Sequence, residues 1–599
     1  MPERTSTTRR RPQIAAAILA LLCAAALVLA AGPRGAGPPA ARAQAPPAAA
    51  KPNVIVLLTD DQENGSMRVM KTVNKEMKRK GVTLKSYYDN FPLCCPARTT
   101  IFTGQYAHNH KVLSNVPPDG GYGVFNELHG QNYLPLWLQD AGYQTSYIGK
   151  FENGYAEPDE YGTTPRDVPQ GWNDWHVLAP SRAQYFNFTL NQNGRLREYG
   201  SRADDYSTDV FTRKAKNFIR DNAKQSLPFY LELGYAAPHG GGGGDPGRSC
   251  NRAAVPAPRD LGTLKGSGKG PLPPSFNEAD VSDKPSPVAN LAPLTEGQIR
   301  DTLRKRRCAW ESLLGVDDSV GTLLDELKRD GVRRNTYVFY LSDNGFIRGE
   351  HRIRDNKRFL YEESARVPFV ARGPGIARGE TSPNVTVNAD LTSTILQISG
   401  ATPGLLQDGQ SLLPTFADPK AEDGRAILLE AYAGEPILGV RTSRYLYTEW
   451  DTGKPQPEKE LYDMYVDPYQ MTNLASDPAH APVVAQLGAE LDDLLQCAGA
   501  DCRTAPTGQL TFTTAGTGKG GCVVGPITAR FSTSADSEVV GASFRVRGTV
   551  VDDTIPPFEA VLPDAALSSN RPKPRMVRAE AVFTDGRRLA KTADVTLCG

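Results

Sequence analysis

The sequence predicts an α/β protein: a large α/β/α sheet domain, a smaller α+β segment after it, and an added C-terminal β-sandwich. Three observations carry that expectation. Apolar runs at Asn53–Thr59, Tyr143–Ile148, Phe229–Leu233 and Tyr337–Leu341 read as strands and alternate with helical patterns. A second stretch, about 420–505, offers strand-like pieces at Ala426–Ala431, Leu438–Glu449 and Glu460–Asp463, then a helix ending near Gln496. The last part changes character, with short alternating runs at Ala542–Val551 and Val577–Phe583 and a hairpin turn at Thr584-Asp-Gly586.

The elements follow in order. Residues 1–43 read as an export leader: Arg9–Arg11, an apolar run from Ile14 to Ala31, and small residues around Ala41-Arg-Ala43. The run is barely long enough to span a bilayer, but it is alanine-rich and leads into a Pro/Ala linker at 44–52. The expectation is therefore a secreted or extracytoplasmic protein with no integral membrane span after cleavage. The main domain is expected at 53–418, its subdomain at 419–505 and the sandwich at 515–599. Inside the main domain, residues 240–300 open with five glycines and carry many prolines, and read as a long surface excursion. A helix is expected from Glu296 to Lys328.

Charge narrows the partners. The 599 residues hold 68 Lys and Arg against 67 Asp and Glu, a net charge of +1. That balance leaves no basic footprint for nucleic acid. Of nine cysteines, Cys23 lies in the leader and Cys94 and Cys95 are adjacent. The remaining six suggest disulfides in an exported chain, with Cys497–Cys502, Cys522–Cys598 and Cys250–Cys308 as pairings. None of the spacings is a zinc pattern.

The strand-like runs end in chemistry. Asn53–Thr59 runs into Asp60-Asp61, Tyr143–Ile148 into Gly149-Lys150, Phe229–Leu233 towards His239, and Tyr337–Leu341 towards Asp343-Asn344. Open α/β sheets bind ligands beyond the carboxyl ends of their strands. If these strands are parallel neighbours, all six residues meet at one edge. Cys94-Cys-Pro-Ala-Arg98 adds a helix start. Pro96 suits the first helical turn, so residue 94 sits where free N–H groups favour anions, and Arg98 lies one turn on.

Cys94-x-Pro96-x-Arg98 followed by Thr103-Gly104 closely resembles the signature of the sulfatase family, within the alkaline phosphatase superfamily. The resemblance extends over 53 to about 503, through Asp60-Asp61, Gly149-Lys150, Ala237-Pro-His239, Ser342-Asp-Asn-Gly345, Gly349-Glu-His-Arg352, Lys357 and Asp408-Gly409. Tyr106-Ala-His-Asn-His110 and Gly149-Lys-Phe-Glu-Asn153 look most like the N-acetylglucosamine-6-sulfatase branch. The resemblance implies an alkaline-phosphatase-like main domain that hydrolyses sulfate esters, on a sulfated carbohydrate or an aryl sulfate. It implies that a formylglycine-generating enzyme oxidises Cys94, and that a hydroxyl of the hydrated aldehyde attacks sulfur while loss of a proton from the second expels sulfate. Asp60, Asp61, Asp343, Asn344 and an oxygen of modified residue 94 would hold a metal. Oxygen ligands suit Ca²⁺ first and Mg²⁺ second. Arg98, Lys150 and Lys357 would neutralise the sulfate, and His239 would protonate the leaving alcohol. One departure stands out: many members have a histidine two residues after the Gly-Lys lysine, and here that residue is Glu152. Asn153 is then expected to contact the site, and the second proton donor stays unassigned. His108, His110 and His351 are candidates for substrate contact. Two other readings remain open: a phosphomonoesterase or phosphodiesterase on the same scaffold, and a non-catalytic glycan-binding surface protein.

Overall fold

The computed structural model describes residues 51–157, 163–241, 249–264 and 271–503, and beyond them 508–517, 523–533, 539–546, 549–555, 558–562, 575–583 and 588–596. The expected leader, Cys522, Cys598 and the 584–586 turn lie outside the described residues. Ten strands form one sheet: β1 (Asn53–Thr59), β2 (Val82–Tyr88), β3 (Gln144–Gly149), β4 (Asp174–Leu178), β5 (Phe188–Gln192), β6 (Arg195–Tyr199), β7 (Phe229–Gly234), β8 (Thr336–Ser342), β9 (Phe369–Arg372) and β10 (Glu380–Val387). Their spatial order is β10-β2-β9-β8-β1-β7-β3-β4-β5-β6. The run β8-β1-β7-β3-β4 is parallel throughout. Antiparallel pairing sets in outside it, at β8–β9 and β4–β5.

Both faces of this sheet are covered, which is why its central strands are apolar without alternation. Val54, Val56 and Leu58 of β1 join one core, with Ile101 and Phe102 of the Cys94–Thr103 helix and Ile395 of the Ala389–Ser399 helix. Ile55 and Leu57 join the other, with Phe211 of the Ser207–Asn222 helix and Trp310 and Leu313 of the long Glu296–Arg329 helix. Thr295 starts that long helix with a capping box, exchanging bonds with Gln298.

A four-stranded antiparallel sheet follows: β11 (Ile427–Tyr432), β12 (Pro436–Arg441), β13 (Tyr445–Trp450) and β14 (Glu458–Asp463). The expected single run 438–449 is thus two strands. Thr442 makes the turn, its hydroxyl accepting from Tyr445 N at 2.9 Å. No glycine or proline marks that turn in the sequence, so the run reads as continuous. The Ala481–Leu494 helix buries Leu487, Leu491 and Leu494 in this segment's core.

The C-terminal strands form two antiparallel sheets on one apolar core. β15 (Gly508–Thr517), β16 (Val523–Thr533) and β19 (Phe558–Leu562) make one. β17 (Val539–Val546), β18 (Thr549–Asp553), β20 (Arg575–Phe583) and β21 (Arg588–Val595) make the other. Ile527 and Phe531 from the first meet Phe544, Val577 and Phe583 from the second. The expected strand 542–551 is a hairpin here, with Val546 opposite Thr549.

The 240–300 region is more than a surface excursion. Ala254, Val255 and Ala257 are buried in the main core. Cys250 is bonded to Cys308 of the long helix, and Cys497 is bonded to Cys502. No helix among the described residues is long and apolar enough to cross a membrane.

Candidate active site

The registers of the parallel strands bring their carboxyl ends to one line. Thr59 lies opposite Ser342, Leu58 opposite Gly234, and Gly149 opposite Gly234. The residues that follow therefore emerge together. Asp60 N donates to the Ala237 carbonyl at 3.2 Å and Asp343 N to the Thr59 carbonyl at 3.0 Å, which locks the three loops to one another. Asp61 adopts a left-handed backbone (φ 65°) and its N–H donates to Asp343 Oδ1 at 3.2 Å. Gly149 turns at φ 109°, and a Cβ there would lie 2.0 Å from the Gly234 carbonyl oxygen. Only glycine fits this crossing, and it delivers Lys150 into the site.

Cys94 opens its helix directly above this edge. Leu93 precedes it in an extended conformation, and Gly104 ends the helix in the left-handed region with its N–H on Thr100 O. A Cβ at Gly104 would also lie 1.9 Å from Gln407 Oε1, so the glycine of the trailing Thr-Gly is fixed by packing as well. Cys94 Sγ is surrounded by charge. Lys357 Nζ reaches it at 2.9 Å and Lys150 Nζ at 3.3 Å, and it lies 3.6 Å from Asp60 Oδ1. Lys150 also pairs with Asp60. Lys357 pairs with Asp61 Oδ1 at 2.5 Å and donates to Asn344 Oδ1 at 3.2 Å. Asn344 Nδ2 in turn donates to Asp61 Oδ1 at 2.6 Å.

Arg98 lies one layer below. It is fully buried, with Nη2 2.8 Å from Asp343 Oδ2 and Nη1 donating to the Lys150 carbonyl at 2.8 Å and the Tyr147 hydroxyl at 3.1 Å. The sequence placed Arg98 on the sulfate beside the two lysines; in the structure its guanidinium meets Asp343, the Lys150 carbonyl and Tyr147. Tyr147 was missed because it sits inside an apolar strand, where nothing distinguishes a hydroxyl that bonds a buried arginine from an ordinary core tyrosine.

His239 stands at the rim, with its side chain 30% exposed and Nε2 3.5 Å from Asp61 Oδ2. Its Nδ1 bonds the Gly240 carbonyl at 2.7 Å. A carbonyl only accepts, so Nδ1 carries a proton and Nε2 is the face turned to the site. The other histidines separate from the edge. His110 is buried between Thr100 and His129. His351 is buried against Glu278 at 2.6 Å and stacks on Tyr361. Neither can meet a substrate from solvent. His108 is half-buried and bonds the Cys497 carbonyl at 3.0 Å. Glu152 is fully buried beside the Cys95 thiol, and Asn153 turns its N–H onto Cys95 Sγ at 3.2 Å.

The charges nearly cancel. Asp60, Asp61 and Asp343 face Arg98, Lys150 and Lys357. Burial pushes Asp60 and Asp61 up, but Lys150 acts on the first and Lys357 on the second, and both carboxyls end below their ordinary range. Burial, reinforced by Asp60, lifts the Cys94 thiol to about 11. It is therefore protonated and weakly nucleophilic near neutral pH. Asp60, Asp61, Cys94 and His239 each present a ligand atom, all within 4.8 Å of one another. With Asp343 and Asn344 beside them, the set is mainly hard oxygen and fits an oxygen-loving divalent cation.

Comparison with known proteins fits this geometry. The sulfatase family model matches residues 52–401, and the model described as N-sulphoglucosamine sulphohydrolase, C-terminal, matches residues 349–497. The N-acetylglucosamine-6-sulfatase of Homo sapiens is 32% identical over 489 residues, covering 74% of this chain and 84% of that protein. An arylsulfatase of Volvox carteri is 32% identical over 486 residues, covering 74% of this chain and 73% of that protein. Among solved structures, BT4656 in complex with its substrate D-glucosamine-2-N,6-O-disulfate superposes with a TM-score of 0.60 at 24% identity, covering 74% of this chain and 97% of that one. The chain belongs to the sulfatase family, enzymes that hydrolyse sulfate esters.

Proposed function

We propose that this protein is an exported sulfatase that removes sulfate from a sulfated amino sugar, using a formylglycine formed from Cys94 and a divalent cation, Ca²⁺ in preference to Mg²⁺. One observation carries the reading: the side chain at 94 sits at a helix N-terminus, touched by two buried ammonium groups and beside the Asp60 carboxylate. The Cys94 thiol, held protonated by burial, is a poor nucleophile as it stands, which supports the reading that the attacking group comes from the residue after its conversion by a formylglycine-generating enzyme. The hydrated aldehyde would supply the attacking oxygen; Asp60, Asp61, Asp343, Asn344 and an oxygen of residue 94 would hold the cation, which when bound would supply Lewis acidity.

The chain's own residues do the rest. Lys150 and Lys357 converge on the atom at 94 and take the sulfate oxygens as charge builds there. Arg98 acts through other groups: it holds Asp343 and the Lys150 carbonyl in place, a positioning role. His239 presents Nε2 at the rim and gives a proton to the departing alcohol when its ring is doubly protonated. The two disulfides among the described residues favour an oxidising, extracytoplasmic compartment.

The test joins modification to turnover. Protein from its native host should react with an aldehyde-directed hydrazide at residue 94 and hydrolyse an aryl sulfate. Cys94→Ala should lose both properties and keep its circular dichroism spectrum. A plain thiol at 94 with full turnover, or faster hydrolysis of the matched aryl phosphate, overturns the proposal.

A further inference from the structure

A cavity of about 170 Å³ lies where three parts of the chain meet. Lys85 of β2 and Asn384 of β10 come from the margin of the main sheet. Arg441, Ser443 and Tyr465 come from the four-stranded segment, and Arg588 from β21 of the C-terminal sandwich. None of Asp60, Asp61, Cys94, His239 and Asp343 lines it.

The sandwich is fixed at this seam. Ala590 N donates to the Glu422 carbonyl at 3.0 Å, and Arg578 Nη1 to the Lys420 carbonyl at 2.8 Å. Arg578 Nη2 pairs with Glu422 Oε1 at 3.2 Å, and Asp423 forms an antiparallel bridge with Leu589. Arg588 therefore stands at the cavity on a strand tied to the 420–423 backbone.

Positive charge is in excess there. Lys85, Arg366, Arg425, Arg441 and Arg588 line the cavity, against the carboxyls of Glu362, Glu422 and Asp423. Glu362 is already engaged by Arg366, by Arg441 at 3.4 Å and by the Tyr88 hydroxyl at 2.6 Å. Burial pushes Glu422 and Asp423 up from the ordinary carboxyl range, so they hold negative charge less readily. Donors are in excess as well. Arg425 is 1% exposed and spends Nη1 and Nη2 on Asp390 Oδ1, each at 3.1 Å. Among the described residues its Nε meets no acceptor, and the Ser443 hydroxyl is buried without a partner. Lys85 is exposed, and among the described residues no carboxylate pairs with it. A buried charged donor left unmet is costly, and native proteins answer it with water or an ion.

The geometry points to an anion site at this seam, separate from the catalytic edge: a free tetrahedral oxyanion, sulfate or phosphate, binds among Arg425, Ser443, Lys85 and Arg588 and ties the sandwich to the catalytic part of the chain. Guanidinium groups present forked donors that match such an ion. Size selects the ion over a larger ligand. The cavity of about 170 Å³ falls below the roughly 300–1,000 Å³ of pockets that enclose drug-sized molecules. The same oxyanion chemistry is also carried by a sulfated sugar, and the experiment separates the two. The site does not depend on the reaction at residue 94.

Isothermal titration calorimetry of the full-length, Ca²⁺-loaded protein with sodium sulfate, against sodium chloride at equal ionic strength, counts the sites. The wild type should bind sulfate twice, once at the catalytic centre and once at the seam. The double variant Lys85→Ala with Arg588→Ala should bind the second ion on the order of 10-fold more weakly, and Arg588→Lys should keep both sites. Sulfate should also raise the Tm of the wild type more than that of the double variant. Aryl sulfate turnover, and its inhibition by sulfate, should be the same in both proteins. Equal stoichiometry and affinity for the wild type and the double variant overturn the site. Should the double variant lose its circular dichroism spectrum, Lys85→Glu alone, at an exposed position, decides by the same count. Glucosamine 6-sulfate is then titrated into Cys94→Ala protein with and without the two substitutions. Binding that they leave unchanged keeps the seam for the free ion, and binding that they weaken overturns the free ion in favour of a sugar-borne sulfate.

Discussion

Two neighbouring cysteines show how far residue type alone leads. Cys94 and Cys95 are both fully buried, but their surroundings diverge: Cys94 meets two ammonium groups, and Cys95 accepts from Asn153 N. The spacing to Pro96 and Arg98 already singled out the first. Glu152 is the reverse case. The sequence marked it only as a departure from a familiar histidine, whereas the structure makes it a buried carboxyl beside the Cys95 thiol, raised by desolvation to about 8. Its folded value exceeds the ordinary 4.5, so the folded protein keeps a proton that the unfolded chain releases. Its contribution is fully present below pH 4.5 and is lost as pH rises to about 8. Glu152→Gln should remove that slope, and its stability advantage over wild type should grow by about 1.4 kcal/mol per pH unit across the window. Chemical denaturation at several pH values reads this directly; parallel curves for the two proteins would reject it.

Among the elements, the ends of the strands decide function. The Gly149-Lys150 step works because β3 terminates against β7 at a distance no Cβ tolerates. Gly149→Ala should destabilise the protein by about 1–3 kcal/mol from backbone strain and cut sulfatase activity by displacing Lys150. Urea unfolding and aryl sulfate turnover check the two effects separately. The loop bearing Cys250 depends on its tie to the long helix. Chain-entropy arguments assign about 4 kcal/mol to a cross-link closing a loop of this length, the cysteines lying 58 positions apart in sequence. The paired Cys250→Ser and Cys308→Ser substitution should therefore lower the Tm markedly in calorimetry. A Tm within error of wild type would show that the loop is held by its buried Ala254–Ala257 segment alone.

For the molecule as a whole, three buried carboxylates sit against three buried cations, a balance that a bound divalent ion would tip to +2 and a sulfate ester, a monoanion, would bring partly back. Chelation with EGTA should lower the Tm and abolish turnover, and Ca²⁺ should restore both. At a Ca²⁺ concentration about a hundred times the Kd, the stabilisation is about 2.7 kcal/mol. Asp61→Asn should show a much smaller Ca²⁺-dependent shift in Tm, and an equal shift would remove Asp61 from the cation's ligands. The sequence by itself determined the parallel α/β core, since runs such as Asn53–Thr59 are apolar on both faces, and it determined which residues gather at the candidate site, because strand-terminal Asp, Lys and Asn and the Cys94 helix start are local patterns. Tertiary structure alone decided how those residues share the work. Arg98 meets Asp343 beneath the site, His110 and His351 withdraw into the core, and the 438–449 run folds into two strands. Apart from the 438–449 turn, which Thr442 and Tyr445 make locally, these outcomes depend on contacts between segments tens to hundreds of residues apart, and distance along the chain carries no information about which buried charge a guanidinium will meet.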